Sequence, residues 1–164
     1  MDDVEGMMIR NDIRPGDAGC LIHLHGTVYF EEYGFDTIFE SYVADTFAEF
    51  LRHESERKRL WIVEKDGRIV GCIGIMERSV EVAQLRWLLL HPDVRGRGLG
   101  RKLMEDAIDF AKGCGYSSIF LFTESILKDA ARLYELYGFK LVEESQEQNK
   151  WGGRFTAQRY EKVL

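Results

Sequence analysis

Cysteine is scarce in this chain and patternless: there are three, Cys20, Cys72 and Cys114, with no metal-ligand spacing. An odd count of that kind predicts reduced, buried thiols rather than a disulfide framework or a structural metal. No apolar run approaches the ~20 residues that span a bilayer. The start, Met1-Asp2-Asp3-Val4-Glu5, is acidic where a signal peptide is basic. A membrane or secreted protein is therefore not expected, which leaves the cytoplasm. An excess of basic charge is also missing. The 22 Lys and Arg face 28 Asp and Glu, a net charge of −6, which argues against a nucleic-acid surface, because such binding neutralises phosphates with Lys and Arg. There is no internal repeat and no low-complexity segment. What is present is 164 residues with 45% hydrophobic content. That is enough for one well-buried core, since domains of this size bury roughly two thirds of their unfolded surface. One domain over residues 1–164 is expected.

Against the acidic background one stretch is basic. Arg95, Arg97, Arg101 and Lys102 surround Gly96, Gly98 and Gly100, between the apolar run 85–90 and a helical pattern over 99–112. Strand, glycine turn and helix in that order make an anion site. Glycine lets successive N–H groups face one concavity, and the helix start adds its open amides and the positive end of its dipole. Two common phosphate motifs fail here: Arg101 stands where both the dinucleotide fingerprint and the phosphate loop need glycine. The spacing R-x-x-G-x-G is filled by Arg95, Gly98 and Gly100. An ordinary glycine-rich turn between strand and helix is the alternative.

The rest of the chain divides by hydrophobic period. A short strand within residues 6–14 leads to Pro15-Gly16-Asp17, with Asp17 as helix N-cap. Leu21, Leu24, Val28 and Tyr29 then recur at helical spacing. A second helix starts at Asp36 or Thr37 with Ile38, Phe39, Tyr42, Val43, Phe47 and Phe50 on one face. Residues 53–59 read as a solvated linker. Residues 60–64 and 68–77 form a hairpin about Asp66-Gly67, in which Gly71 and Gly74 mark a bend or close packing. Residues 83–91 are a third strand, and its run Leu88-Leu89-Leu90 predicts cover on both faces. The helix over 99–112 crosses to a strand at 117–122, parallel to 83–91. An amphipathic helix over 126–137 precedes an antiparallel pair, 140–144 with 158–163, connected through Trp151-Gly152-Gly153-Arg154.

The R-x-x-G-x-G turn resembles the pyrophosphate motif of the GCN5-related N-acetyltransferase (GNAT) superfamily. Residues Ala130 to Phe139 resemble its A-x-x-x-Y-x-x-x-G-F helix, and the element order agrees over almost the whole chain. The stretches Gln84-Leu85-Arg86-Trp87 and Tyr33-Gly34-Phe35-Asp36 are closest to the acetyltransferase half of bacterial MarR–GNAT fusion proteins, although no winged helix is present. The resemblance implies an α/β fold of the GNAT type: a mixed, mostly antiparallel sheet of six or seven strands with a splayed parallel pair, flanked by about four helices. It implies an acetyl-CoA-dependent N-acetyltransferase acting on a primary amine of a small molecule or protein, without a metal. A homodimer is compatible with it.

Carried over residue by residue, the resemblance gives the coenzyme A pyrophosphate to the backbone of Gly96, Arg97, Gly98, Leu99, Gly100 and Arg101, with Arg95 opening the motif. Leu88, Leu89 and Leu90 would pair with the pantetheine arm through their free strand edge. Tyr134 matches the general acid; its alternative is a core aromatic. Two positions depart from the family pattern. Leu127 stands where asparagine often contacts coenzyme A, and Phe122 where some members place a glutamate base. Glu124 is a base candidate close by, and a solvated strand-end carboxylate is its alternative. His23, His25, Tyr29, Glu31, Glu32, Tyr33 and Trp151 are candidates for the acceptor side. With the base unassigned, a catalytically idle acyl-CoA-binding sensor is the competing function.

Overall fold

The change of period at residue 60 is the change from helix to sheet. The computed structural model describes residues 2–4 by their backbone and residues 6–164 in full. Helix α1 (Asp17–Tyr33) and helix α2 (Thr37–Arg52) pack side by side. Helix α2 starts as expected: the Asp36 carboxylate accepts the N–H groups of Ile38 and Phe39, two of the four that a helix start leaves open. Helix α1 does not. Its N-cap is Gly16, at a φ of 95°. Asp17 instead takes the Arg10 guanidinium at 2.8 Å on each carboxylate oxygen and accepts the Arg14 N–H. Arg10 is 5% exposed; a charge buried that deeply must be paired, and pairing overrides capping. On α2, Phe39, Val43, Phe47 and Phe50 are buried, but Ile38 and Tyr42 remain at the surface edge of that face.

The sheet runs β1 (Asp2–Val4), β2 (Met7–Arg10), β3 (Arg59–Lys65), β4 (Arg68–Glu77), β5 (Val82–Leu90), β6 (Ser118–Glu124), β10 (Ala157–Val163) and β7 (Lys140–Glu144) in spatial order. Eight strands take the place of six or seven because residues 2–4 add an edge strand. Every neighbouring pair is antiparallel except β5 and β6. Helix α3 (Leu99–Gly113) makes the crossover between them, and helix α4 (Lys128–Leu136) follows β6. A separate hairpin, β8 (Gln148–Lys150) and β9 (Gly153–Phe155), turns at Trp151-Gly152. The sheet is covered on both faces. On β4, Ile73 and Ile75 pack toward Leu103 and Ala107 of α3, while Cys72 and Met76 pack toward Phe47 and Phe50 of α2.

Residues 53–59 are a packed strap rather than a solvated linker. Arg57 lies 4.1 Å over the Tyr116 ring and pairs with Glu77 at 2.9 Å, and Arg59 lies 4.3 Å over Phe110. Guanidinium planes stack on aromatic faces, so a charged segment was able to become a partly buried seam. Among the thiols only Cys72 is buried; Cys114 is half-buried and Cys20 exposed, and all three are free. Cys114, in the turn after α3, packs against the rim of the core, and Cys20 falls on the outer side of helix α1.

The strand pair β5–β6 splays, and the cause is local. Pairing runs only from Val82↔Ser118 to Gln84↔Phe120. Beyond that point β6 stays on β10 and β5 stays on β4. The β4–β5 register shifts between Cys72 and Gly74, and Trp87 there has a φ of 57°. Such a bulge bends its strand and raises the twist. The Trp87 ring stacks on Phe47 at 4.3 Å, and its Nε1 donates to Thr46 Oγ1 at 2.9 Å. A Cβ on Gly74 would fall 2.5 Å from that ring, which is the close packing the glycine predicted.

Candidate active site

After β5 the chain makes one 3-10 turn, Pro92–Val94, and then passes Gly96 and Gly98 at φ values of 76° and 77°. Those values cost little only for glycine. Gly98 is the N-cap of α3, and no side chain caps the helix. The first-turn amides therefore face outward from an exposed turn, where an anion can reach them. Leu99 contributes backbone only, since its side chain is in the core. The four expected cations do not act alike. Arg97 and Arg101 are exposed on the turn. Arg95 donates to both carboxylate oxygens of Glu32, at 2.7 and 2.5 Å, and to the Leu90 carbonyl at 2.9 Å. Lys102 pairs with Asp106 at 2.7 Å.

The splay opens two cavities, of about 110 and 180 Å³. The larger lies beside the turn, lined by Leu88, Leu89, Leu90, Arg95 and Gly100. The smaller lies between the diverging strands, where Arg86, Thr123, Glu124 and Tyr134 meet. Tyr29, Leu88, Leu127 and Ala130 line both, so the cavities are neighbours, and Leu127 stands in their shared wall. An outer depression continues the smaller cavity through Tyr42, Phe122, Glu124 and Trp151.

The groups lining the smaller cavity are electrically unusual. Tyr134 is buried beside Tyr160 and Phe139, with ring centroids 5.9 and 6.1 Å away. Burial pushes its pKa above the ordinary phenol value, so its proton is held at neutral pH. Among the described residues its hydroxyl has no hydrogen-bond partner. Glu124 is buried, not solvated as a strand end would be. The β8–β9 hairpin brings Lys150 Nζ to 3.1 Å from Oε1, while Oε2 has no partner. Desolvation raises the carboxyl's pKa, and the lysine works against that rise. Thr123 Oγ1, next to it, is likewise buried without a partner. His25 lies 2.7 Å from the Leu21 carbonyl through Nδ1; a carbonyl only accepts, so Nδ1 carries the hydrogen. Burial lowers the pKa of His25 to about 4, which keeps the ring neutral.

The acceptor-side candidates divide. Tyr29, His25 and Trp151 line the smaller cavity. Glu32 and Tyr33 line the larger one, which corrects their expected place. His23 and Glu31 are exposed and line neither, because α1 turns those positions outward. Thr123 and Lys150 reach the site unforeseen. Thr123 sits in an apolar strand pattern, and Lys150 arrives through a hairpin that no hydrophobic period marks.

Comparison with known proteins gives one consistent result. The model of the Acetyltransferase (GNAT) family matches residues 23–139. An uncharacterized N-acetyltransferase of Schizosaccharomyces pombe is 31% identical over 118 residues, 70% of this chain and 72% of that protein. The match to YjgM, an uncharacterized N-acetyltransferase of Escherichia coli, is 34% identical over 51% of this chain, but spans only 52% of the relative. Among solved structures, an acetyltransferase from Streptococcus agalactiae superposes with a TM-score of 0.75 at 22% identity, covering 98% of this chain and 99% of that one. The yncA protein of Salmonella typhimurium, solved with its cofactor acetyl-CoA, gives 0.71 at 22% identity, covering 98% and 95%.

Proposed function

The chain belongs to the Acetyltransferase (GNAT) family, and on that premise we propose that it moves an acetyl group from acetyl-CoA to a primary amine by direct attack in a ternary complex. The observation that carries this reading is a pair of neighbouring cavities, one beside the open turn and the other lined by Tyr134 and Glu124, that share the wall of Tyr29, Leu88, Leu127 and Ala130. The family's donor fits the larger cavity on this chain's own features. The β5 edge over residues 85–90 has no partner on the β6 side, and it ends at a turn of open amides. Residues 88–90 would hold the pantetheine arm by backbone, and residues 96–101 the pyrophosphate, with Arg97 and Arg101 adding charge.

Acetyl-CoA supplies an activated thioester, and the protein supplies position and protons. The amine nitrogen forms a bond to the acetyl carbon as the carbon–sulfur bond breaks. The sulfur leaves with the electron pair, and Tyr134 hands it a proton. Glu124 takes the proton that the ammonium must lose. Placing the reactants in neighbouring cavities converts a bimolecular encounter into an effectively unimolecular step. In this reading residues 1–164 form one acetyltransferase domain working in the cytoplasm. Its motifs Gln84-Leu85-Arg86-Trp87 and Tyr33-Gly34-Phe35-Asp36 support a likeness to the acetyltransferase half of MarR–GNAT fusions.

The test is thiol release from acetyl-CoA with a broad amine panel. Amine-dependent release supports transfer; saturable acetyl-CoA binding with no turnover on any amine points to the sensor function instead.

A further inference from the structure

The acceptor cavity carries two opposite charges, each underpartnered, within an aromatic lining. Glu124 is 8% exposed, and its Oε2 faces no donor. A buried carboxylate oxygen left in that state is costly unless a ligand donates to it. On the other side stands Arg86, with a side chain 10% exposed. Its contacts are weak for so deeply set a guanidinium: Glu49 Oε2 and the Tyr42 hydroxyl, both at 3.4 Å, and the Trp87 ring with its centroid 5.5 Å away. Glu49 is itself 45% exposed and held mainly by Arg78, which reaches both of its oxygens. A solvated carboxylate shared between two arginines compensates little of the desolvation of the buried one. Both groups look the same way. The alternation of β6 puts Glu124 with Phe120 and Phe122, opposite the core-facing Ile119 and Leu121, and Arg86 meets α2 residues on that face of β5.

Between these charges lie rings. Trp151 packs against Phe39, Tyr42 and Phe35 at centroid distances of 5.0, 5.3 and 5.5 Å, and all four line the cavity. Such a wall takes an apolar or aromatic body.

We propose that the acceptor is an amino acid: a small zwitterion whose ammonium meets Glu124, whose carboxylate meets Arg86, and whose apolar or aromatic body lies on the Trp151 wall. A polyamine would set a second cation against Arg86. A protein lysine would leave Arg86 unanswered. The proposal rests on the acetyltransferase reading for turnover, but not for binding.

The test uses matched pairs that differ only in the carboxylate: L-phenylalanine against phenethylamine, L-leucine against isoamylamine, and 4-(aminomethyl)benzoate against benzylamine. Spermidine and a lysine peptide serve as controls. Thiol release should show kcat/KM at least about tenfold higher for the carboxylate-bearing member, because a site built around a charged group rejects the analogue lacking it. The winning pair reports how far apart the two charges sit. In Arg86→Gln that ratio should collapse to within about threefold, mainly through KM, and Arg86→Lys should restore part of it. Parity within pairs in the unaltered protein, or acetylation of spermidine or the peptide alone, overturns the inference while leaving the transferase reading intact. If no amine is acetylated, calorimetric titration of the same pairs into protein saturated with CoA decides. Zwitterion-selective binding upholds the acceptor class and counts against transfer; absence of binding by every zwitterion overturns the class.

Discussion

Glu32 and Arg95 join helix α1 to the glycine turn through two parallel hydrogen bonds, of 2.7 and 2.5 Å, across the mouth of the larger cavity. The arginine that opens the R-x-x-G-x-G motif is therefore already engaged with a carboxylate, and its Nε also holds the Leu90 carbonyl. An anion arriving at the turn meets the charge of Glu32 beside that of Arg95.

Glu32→Gln should tighten acetyl-CoA binding by a few-fold, more at low ionic strength, because it removes a like charge that is screened over ~8 Å at physiological salt. Stability should fall little. Both side chains are partly exposed, at 39% and 28%, and such pairs are typically worth ~0.2–1 kcal/mol. Calorimetry at two salt concentrations and a melting curve check this. Weakened binding would make the pair a clamp that positions Arg95 for the ligand.

Gly98 and Gly100 should respond differently to alanine. Gly98 has a φ of 77° with nothing within 4 Å of its Cβ position, so Gly98→Ala costs ~1–2 kcal/mol of backbone strain and should weaken acetyl-CoA at least about tenfold, ~1.4 kcal/mol. Gly100 is not strained in this way. A Cβ there would lie 3.6 and 3.7 Å from Leu133 and Leu90, ordinary contact distances, yet on the lining of the larger cavity. Gly100→Ala should melt like the parent while losing affinity. Unchanged affinity in both folded variants would remove the turn from the binding site.

If Glu124 is the proton acceptor, it ties activity to pH. Its pKa is raised by burial, so the folded chain holds a proton over a range where the unfolded chain has lost it. Stability due to this group is thus greatest below the ordinary carboxylate value and falls as pH rises through that value to the raised one. Glu124→Gln should therefore raise the melting temperature at neutral pH but not at low pH, and it should lower turnover. The parent's acid limb should lie above the ordinary carboxylate range. Lys150→Met, which removes the opposing cation 3.1 Å away, should move that limb higher still. A pH–rate profile unchanged by Lys150→Met would rule Glu124 out as the proton acceptor.

How much of this was legible beforehand follows from range. The glycine turn, the Asp36 cap and the Tyr134 helix are local patterns, and each lies where its residues predicted. The splay rests on Trp87 at positive φ against Gly74, a contact between strands that leaves only a glycine as its trace. The burial of Glu124 depends on Lys150, 26 residues away in the chain, and the commitment of Arg95 on Glu32, 63 residues away. Such pairings are tertiary, and no periodicity encodes them. Asp17 shows the same limit from the other side: a good capping residue was diverted by a buried arginine.

Tyr134 carries the strongest prediction because its two possible roles diverge under one substitution. The ring is packed by Tyr160 and Phe139, and Tyr134→Phe keeps that packing. The hydroxyl, which has no protein partner among the described residues, is all that is lost. A structural tyrosine would give up no hydrogen bond, so the melting temperature should hold or rise. If the hydroxyl protonates the departing thiolate, turnover should fall on the order of 10²-fold, the usual scale of a positioned general acid, with little change in KM for acetyl-CoA. A phenol holds its proton at neutral pH at its ordinary value, and burial holds it more tightly still, so the transfer relies on the basic thiolate being generated in the same step. Timed thiol release on Tyr134→Phe, with a melting curve beside it, separates the roles. Turnover within about threefold of the parent would reject the acid, because proton transfer by a positioned side chain contributes far more than that.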